Sequence, residues 1–324
     1  MRIVFLGTPE AAVPSLEALV GADDIDVAAV ITNPDRAKGR SRTPIPPPVK
    51  VAAEAAGIPV WQPDRPREVL DDLHALELDA CAVVAYGALL PKDVLAAGGR
   101  GFVNLHFSLL PRWRGAAPVQ HAIRAGDATT GVTTFVLDEG MDTGPVIDHE
   151  EVVIEPGESA GELLERLAGL GAPVLTRSLR ALMDGVTPQP QPPDGVTLAP
   201  KITSDDVALD LAAPATEVDR LVRSADPAPG AHTRFRDKRL KVFAAPPVDG
   251  DGAPGTVLRI EPDGVVVACG RGAVRLDAVQ PEGKARMDGA AFANGYRPEP
   301  GERLGDPGTS EQPSEQPVVR DAGS

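Results

Sequence analysis

Over the first 140 residues or so, short unbroken apolar runs alternate with stretches of helical character, and this alternation restricts the possible folds more than any other feature. "RIVFLG" (2–7), "DVAAVIT" (26–32), "DACAVVAYG" (79–87) and "GFVNLH" (101–106) are apolar continuously rather than at every second residue. A strand apolar on both faces must be covered on both faces, as in a parallel sheet between helices. Helical stretches follow Gly7 and recur near 48–56, 66–76 and 116–125. "GVTTFVLD" (131–138) and "PVIDHEEVVI" (145–154) arrive without a helix between them, so the sheet is expected to end in antiparallel strands, with a long helix after it at 159–184. The expected fold class is α/β: a doubly wound, mostly parallel sheet of Rossmann type that binds its ligands beyond the carboxyl ends of its strands.

A boundary follows. "DGVTPQPQPPDGVTLAP" (184–200) concentrates proline and polar residues without periodicity, as an extended linker would. Beyond a helix near 214–224, the runs 239–245, 255–260, 264–270 and 273–279 are short, strand-like and punctuated by glycine, the pattern of a small OB-like β-barrel. The expected division is a catalytic domain at 1–185, a linker at 186–204, the OB-like domain at 205–304 and a disordered Pro/Ser/Glu-rich tail at 305–324.

Charge narrows the partners. The net charge is −15, so the molecule as a whole does not attract a polyanion. Residues 1–199 hold 16 Lys and Arg against 27 Asp and Glu, whereas 200–300 hold 14 against 15, with a cationic run at Arg234, Arg236, Lys238, Arg239 and Lys241. A polyanion should therefore meet the second half first. Within the acidic half, the long loop 32–50 carries the one dense cationic patch, Lys38, Arg40 and Arg42, and loops of that length are usually functional. Cys81 and Cys269 each lie inside an apolar run and read as buried thiols. With no leader-like start and no apolar run near the ~20 residues that span a bilayer, a cytoplasmic protein without membrane contact is expected. No long exposed apolar stripe argues against a monomer.

"GTPEAA" (7–12) resembles half of a dinucleotide fingerprint but lacks its glycines, and no acidic residue ends the second run, so a nicotinamide dehydrogenase is disfavoured. The strongest constellation is Asn104-x-His106. Residues two apart on a strand share a face, about 7 Å along it, and a buried polar pair needs partners. This pair stands where a strand ends, at the ligand edge. Asp142 follows 36 residues after His106 on the glycine-flanked loop "LDEGMDTGPV" (137–146). Asp138, Glu139 and Asp142 lack companion ligands at metal spacing, so no metal site is expected.

"NLHFSLLPRWRGAAPVQ" followed by "GVTTFVLDEGMDTG" resembles the folate-dependent formyltransferase family. "FLGTPE", "PDRAKGR" (34–40), "VVAYGALLP" (83–91), "APKIT" (199–203) and "VQPEGKARM" (279–287) extend the resemblance to about residue 304 and point to its tRNA-acting branch. The resemblance implies transfer of a formyl group from 10-formyltetrahydrofolate to the α-amino group of methionyl initiator tRNA. It implies Asn104, His106 and Asp142 as the catalytic trio, and Ser108, Leu109, Leu110 and Pro111 as a folate-binding segment. It further implies Tyr86 and Leu89 in the pterin pocket, and Lys38, Arg40 and Arg42 in a loop that reaches the tRNA acceptor stem. Where many relatives are aromatic-rich, this chain reads "DPAPGAHT" (226–233), so charge and shape rather than base stacking are expected to carry RNA contact.

The chemistry suits those residue types. When an amine attacks the formyl carbon, negative charge grows on the formyl oxygen, and fixed donors such as an amide and an imidazole stabilise it. An α-amino group titrates near 7.7–8.0, so its free base is available near neutrality. The attacking nitrogen must still shed a proton, and Asp142 is expected to assist that transfer by orienting His106 and favouring its charged form. A relative acting on glycinamide ribonucleotide or an amino sugar would share the trio but would need neither the basic loop nor residues 205–304. A non-catalytic OB protein would leave the trio without purpose.

Overall fold

The computed structural model describes residues 1–37 and 43–305. Contacts divide the chain into two compact units, Met1–Val207 with Arg220–Pro229, and Ala208–Asp219 with the described residues from Gly230 onward. The expected tail lies outside the described residues apart from Gly305.

In the first unit, β1 (Arg2–Gly7), β2 (Asp26–Ile31), β5 (Val60–Trp61), β6 (Ala80–Val84), β7 (Phe102–His106), β8 (Thr129–Val136) and β9 (Val146–Val153) form one sheet ordered β5-β2-β1-β6-β7-β8-β9. Pairing is parallel from β5 to β7 and antiparallel across β7–β8 and β8–β9. The fold is thus the α/β, mostly parallel arrangement that the apolar runs require; the two-residue edge strand β5 is too short to leave a periodic signal. Strand order reverses between β1 and β6, the place where such sheets bind ligands. A small pairing of β3 (Arg36–Ala37) with β4 (Pro44–Ile45) forms the root of the basic loop. Lys38, Arg40 and Arg42 lie outside the described residues.

Helices cover both faces. On one face, α1 (Val13–Val20), α2 (Pro48–Ala55) and α6 (Ala160–Met183) pack against Ile3, Phe5, Val103 and Leu105. On the other, α3 (Leu70–Ala75) and α4 (Lys92–Leu95) pack against Val4, Leu6, Cys81 and Phe102. β7 therefore splits its side chains: Val103 and Leu105 go to the α6 face, while Phe102, Asn104 and His106 take the opposite one. Burial pushes the Cys81 thiol up to about 12 and that of Cys269 up to about 11, which leaves both inert.

The second unit contains two antiparallel sheets. One is made of β10 (Ala231–Phe235), β11 (Lys238–Ala244), β16 (Ala278–Pro281) and β17 (Met287–Asp288). The other is made of β12 (Pro247–Val248), β13 (Val257–Glu261), β14 (Gly264–Ala268) and β15 (Ala273–Leu276). Such short antiparallel strands around Val242, Val265, Val267 and Val279 fit a small barrel-like domain. No described helix is long and apolar enough to cross a membrane.

Candidate active site

The carboxyl ends of β1, β2 and β6 are tied together by polar side chains. Thr8 Oγ1 donates to the Tyr86 carbonyl at 3.1 Å, and the Asn33 amide donates to Thr8 Oγ1 at 3.0 Å and to the same carbonyl at 2.9 Å. One strand further along, β7 ends in the polar pair. Asn104 lies opposite Val83 on one side and Phe135 on the other, and His106 lies opposite Thr133. The Asn104 side chain is half-buried, and no described residue hydrogen-bonds its amide. That amide is left available to a ligand.

His106 is 6% exposed, with its ring edge-on to Phe135 at 6.5 Å. Its Nε2 stands 2.9 Å from the Trp113 carbonyl, and its Nδ1 stands 3.8 Å from Asp142 Oδ2. A carbonyl only accepts, so Nε2 carries a proton and Nδ1 is the reactive edge of the neutral ring. Burial pushes the imidazole below its ordinary value of 6.5, outweighing the upward pull of the Asp142 carboxylate and the Trp113 carbonyl. The ring is therefore neutral near pH 7.

Asp142 adopts a left-handed φ of 54°, and its Oδ2 accepts from the Gly115 N–H at 2.7 Å. Two glycines make this approach possible. Gly115 has φ 125°, and a Cβ there would come within 2.7 Å of the Ala199 carbonyl; at Gly144 a Cβ would overlap the Val136 carbonyl. The structure thus brings His106, at the end of β7, together with Asp142 from a separate loop, with Asn104 on the same strand face as His106.

Segment 108–111 lies over β8. Ser108 is buried, and its Oγ donates to the Arg112 carbonyl at 2.6 Å while its own carbonyl accepts from Thr133 Oγ1 at 2.7 Å. Leu110 N donates to Thr133 Oγ1 at 3.1 Å. Leu109 sits against Gly131 and, with Arg112, Trp113, Asp127 and Thr129, lines a pocket of about 260 Å³; Leu110 and Pro111 are half-buried. Tyr86 is buried, which raises the pKa of its phenol, and Leu89 is 84% exposed. Among the described residues no group of acidic, His and Cys side chains could hold a metal ion.

A family model described as formyl transferase matches residues 1–179, and one described as formyl transferase, C-terminal domain, matches 201–297. The chain belongs to the formyltransferase family. This formyltransferase is 51% identical over 310 residues to a methionyl-tRNA formyltransferase of Streptomyces griseus, covering 94% of this chain and 100% of that protein. Its fold is shared with HypX from Aquifex aeolicus solved with tetrahydrofolic acid, at TM-score 0.66 and 18% identity over 91% of this chain and 47% of that one. It is also shared with WlaRD, a sugar 3N-formyl transferase, at TM-score 0.64 and 17% identity over 88% and 99% of the two chains.

Residues that no local pattern marks hold the surroundings of this site in the formyltransferase. Trp113, also left-handed at φ 62°, is fixed by Thr197 Oγ1, which accepts from its N–H at 2.8 Å, and by Asp127, which accepts from its indole at 2.8 Å. Arg112 makes a two-pronged pair with Asp127 at 2.8 and 2.6 Å and covers the Trp113 ring. The segment expected as a linker lies within the first unit and is bonded to its sheet and to the 112–115 segment: Gln189 exchanges two 2.7 Å bonds with Val146, and Arg114 exchanges bonds with Thr197 and Ala199. The contacts that hold these residues cross 14 to 84 positions of sequence, so strand or helix period cannot reveal them.

Proposed function

We propose that this formyltransferase carries the formyl group of 10-formyltetrahydrofolate to the α-amino group of methionyl initiator tRNA in the cytoplasm. The observation that carries this reading is the 51% identity, over 94% of this chain and 100% of that protein, to a methionyl-tRNA formyltransferase. The neutral, buried His106 beside Asp142 supports the chemistry. The amine lone pair forms the new C–N bond, and the carbonyl electron pair moves to oxygen, where the Asn104 amide donates to it. His106 Nδ1 takes the proton that the attacking nitrogen loses, and the imidazolium, paired with Asp142, becomes a second donor to the oxyanion. As the tetrahedral centre collapses, the C–N10 bond breaks and that proton is returned to N10. Ser108 to Pro111, Tyr86 and Leu89 line the folate side, and Lys38, Arg40 and Arg42 bind the acceptor stem.

The test is formylation of methionyl initiator tRNA by the purified chain, with elongator tRNA and a free amino sugar alongside. Initiator tRNA should be formylated far faster than either, and Asn104→Ala should lower kcat by about 10²–10³-fold, as loss of one oxyanion donor does. Formylation of the amino sugar but not of tRNA would refute the substrate assignment.

A further inference from the structure

We infer that Gln191 is a positioning residue for Asp142, so that the segment after the catalytic sheet is part of the active-site machinery. The inference rests on the role given to Asp142 above. Gln191 belongs to the proline-rich stretch 187–193, far in sequence from both catalytic loops. Its Nε2 donates to the Asp142 carbonyl at 2.8 Å and to the Gly144 carbonyl at 2.9 Å, clamping the turn on both sides. Its Oε1 accepts from Arg114 Nη2 at 2.6 Å and Nε at 3.1 Å. Arg114 immediately precedes Gly115, whose N–H holds the Asp142 carboxylate.

One side chain therefore closes a ring. It grips the backbone of Asp142 directly, and through Arg114 it grips the segment that binds the Asp142 carboxylate. A non-glycine residue in the left-handed region persists only where its surroundings over-determine it, and Gln191 is the side chain that joins the two halves of that restraint. The bracing side chain is itself held, because Gln189 is bonded both ways to Val146 and the 197–199 stretch is bonded to Arg114. A groove of about 500 Å³, lined by Arg114, Thr143, Pro190 and Gln191, runs beside the clamp. Gln191 need not touch substrate to act; it sets where the carboxylate stands relative to His106 Nδ1.

Two variants of the full chain separate this role from simple packing. Gln191→Glu keeps oxygens for Arg114 and loses both Nε2 donors; Gln191→Met loses both sides of the clamp. Each should lower kcat roughly 10- to 100-fold, the scale of an ångström's misplacement, with the KM of Q191E for 10-formyltetrahydrofolate near wild type. In Gln191→Met the acid limb of the kcat–pH profile should move to lower pH, as it should in Asp142→Asn, because the carboxylate that favours the charged form of His106 is displaced in the one and removed in the other. In the Asp142→Asn background Q191E should cost little more. A wild-type kcat in Q191E, or full multiplication of the two losses in the double variant, would overturn the role of Gln191 while that of Asp142 stands. A wild-type kcat in Asp142→Asn would overturn both.

Discussion

His106 is the residue whose environment does most to set the chemistry. Buried against Phe135, with one nitrogen bonded to the Trp113 carbonyl, it is held below its ordinary pKa and kept neutral. Two consequences follow, one for catalysis and one for stability. The acid limb of kcat should lie below the ordinary histidine value of 6.5, and Asp142→Asn should move it lower still, because the carboxylate is what pulls the pKa up. A pH–rate series on the two proteins checks this, and a limb that rises in the variant rejects the assignment. For stability, the unfolded chain takes up a proton near 6.5 that the native ring refuses. Native stability should therefore be full above that pH and fall as pH drops from there toward the lowered native pKa. Urea midpoints measured between pH 7 and 5 should drop less in His106→Gln than in wild type.

Among the elements, α6 most needs an explanation. It runs unbroken from Ala160 to Met183 with Pro173 inside it, although an interior proline usually costs about 3 kcal/mol. Packing overrides that cost: Leu163, Leu167, Val174, Leu175 and Leu179 are fully buried against the sheet, and each such side chain contributes about 1.5–3 kcal/mol. The start of the helix is fixed by a capping box, in which Ser159 Oγ accepts from the Glu162 N–H and the Glu162 carboxylate accepts from the Ser159 N–H. Ser159→Ala should lower the unfolding free energy by about 1 kcal/mol in urea and leave kcat unchanged, because α6 meets β7 on the face away from Asn104 and His106. A loss of kcat without a loss of stability would mean that the helix start is coupled to the site.

At the scale of the whole molecule, charge separates the two substrates. A chain of net charge −15 binds a polyanion through local cationic patches, so contact with the tRNA backbone should be highly sensitive to salt. Not every cation of the 234–241 run is available for that contact. Arg236 pairs with Glu302 at 2.7 Å, donates to the Tyr296 and Arg297 carbonyls and lies over Phe235, so it serves the barrel-like unit itself. Raising salt from about 50 to 200 mM should raise the KM for methionyl-tRNA at least about tenfold, with a far smaller change for the formyl donor. A KM for tRNA that ignores salt would remove phosphate contact as the basis of recognition.

Residue order alone makes legible the α/β class, the antiparallel end of the sheet, the long helix through Pro173, and the placing of Asn104 and His106 on one strand face. These follow from periodicity and strand alternation, which are local and survive in a linear reading. It takes the folded chain to bring His106 Nε2 to the Trp113 carbonyl, the Gly115 N–H to the Asp142 carboxylate, and Gln191 to the loop it braces. Those bonds join residues 7, 27 and 49 positions apart, through main-chain groups that every residue type possesses. A proline-rich polar stretch reads as a linker because it has no period. It joins the site because the Asp142 and Gly144 carbonyls accept from Gln191, and folding places that stretch within reach of them.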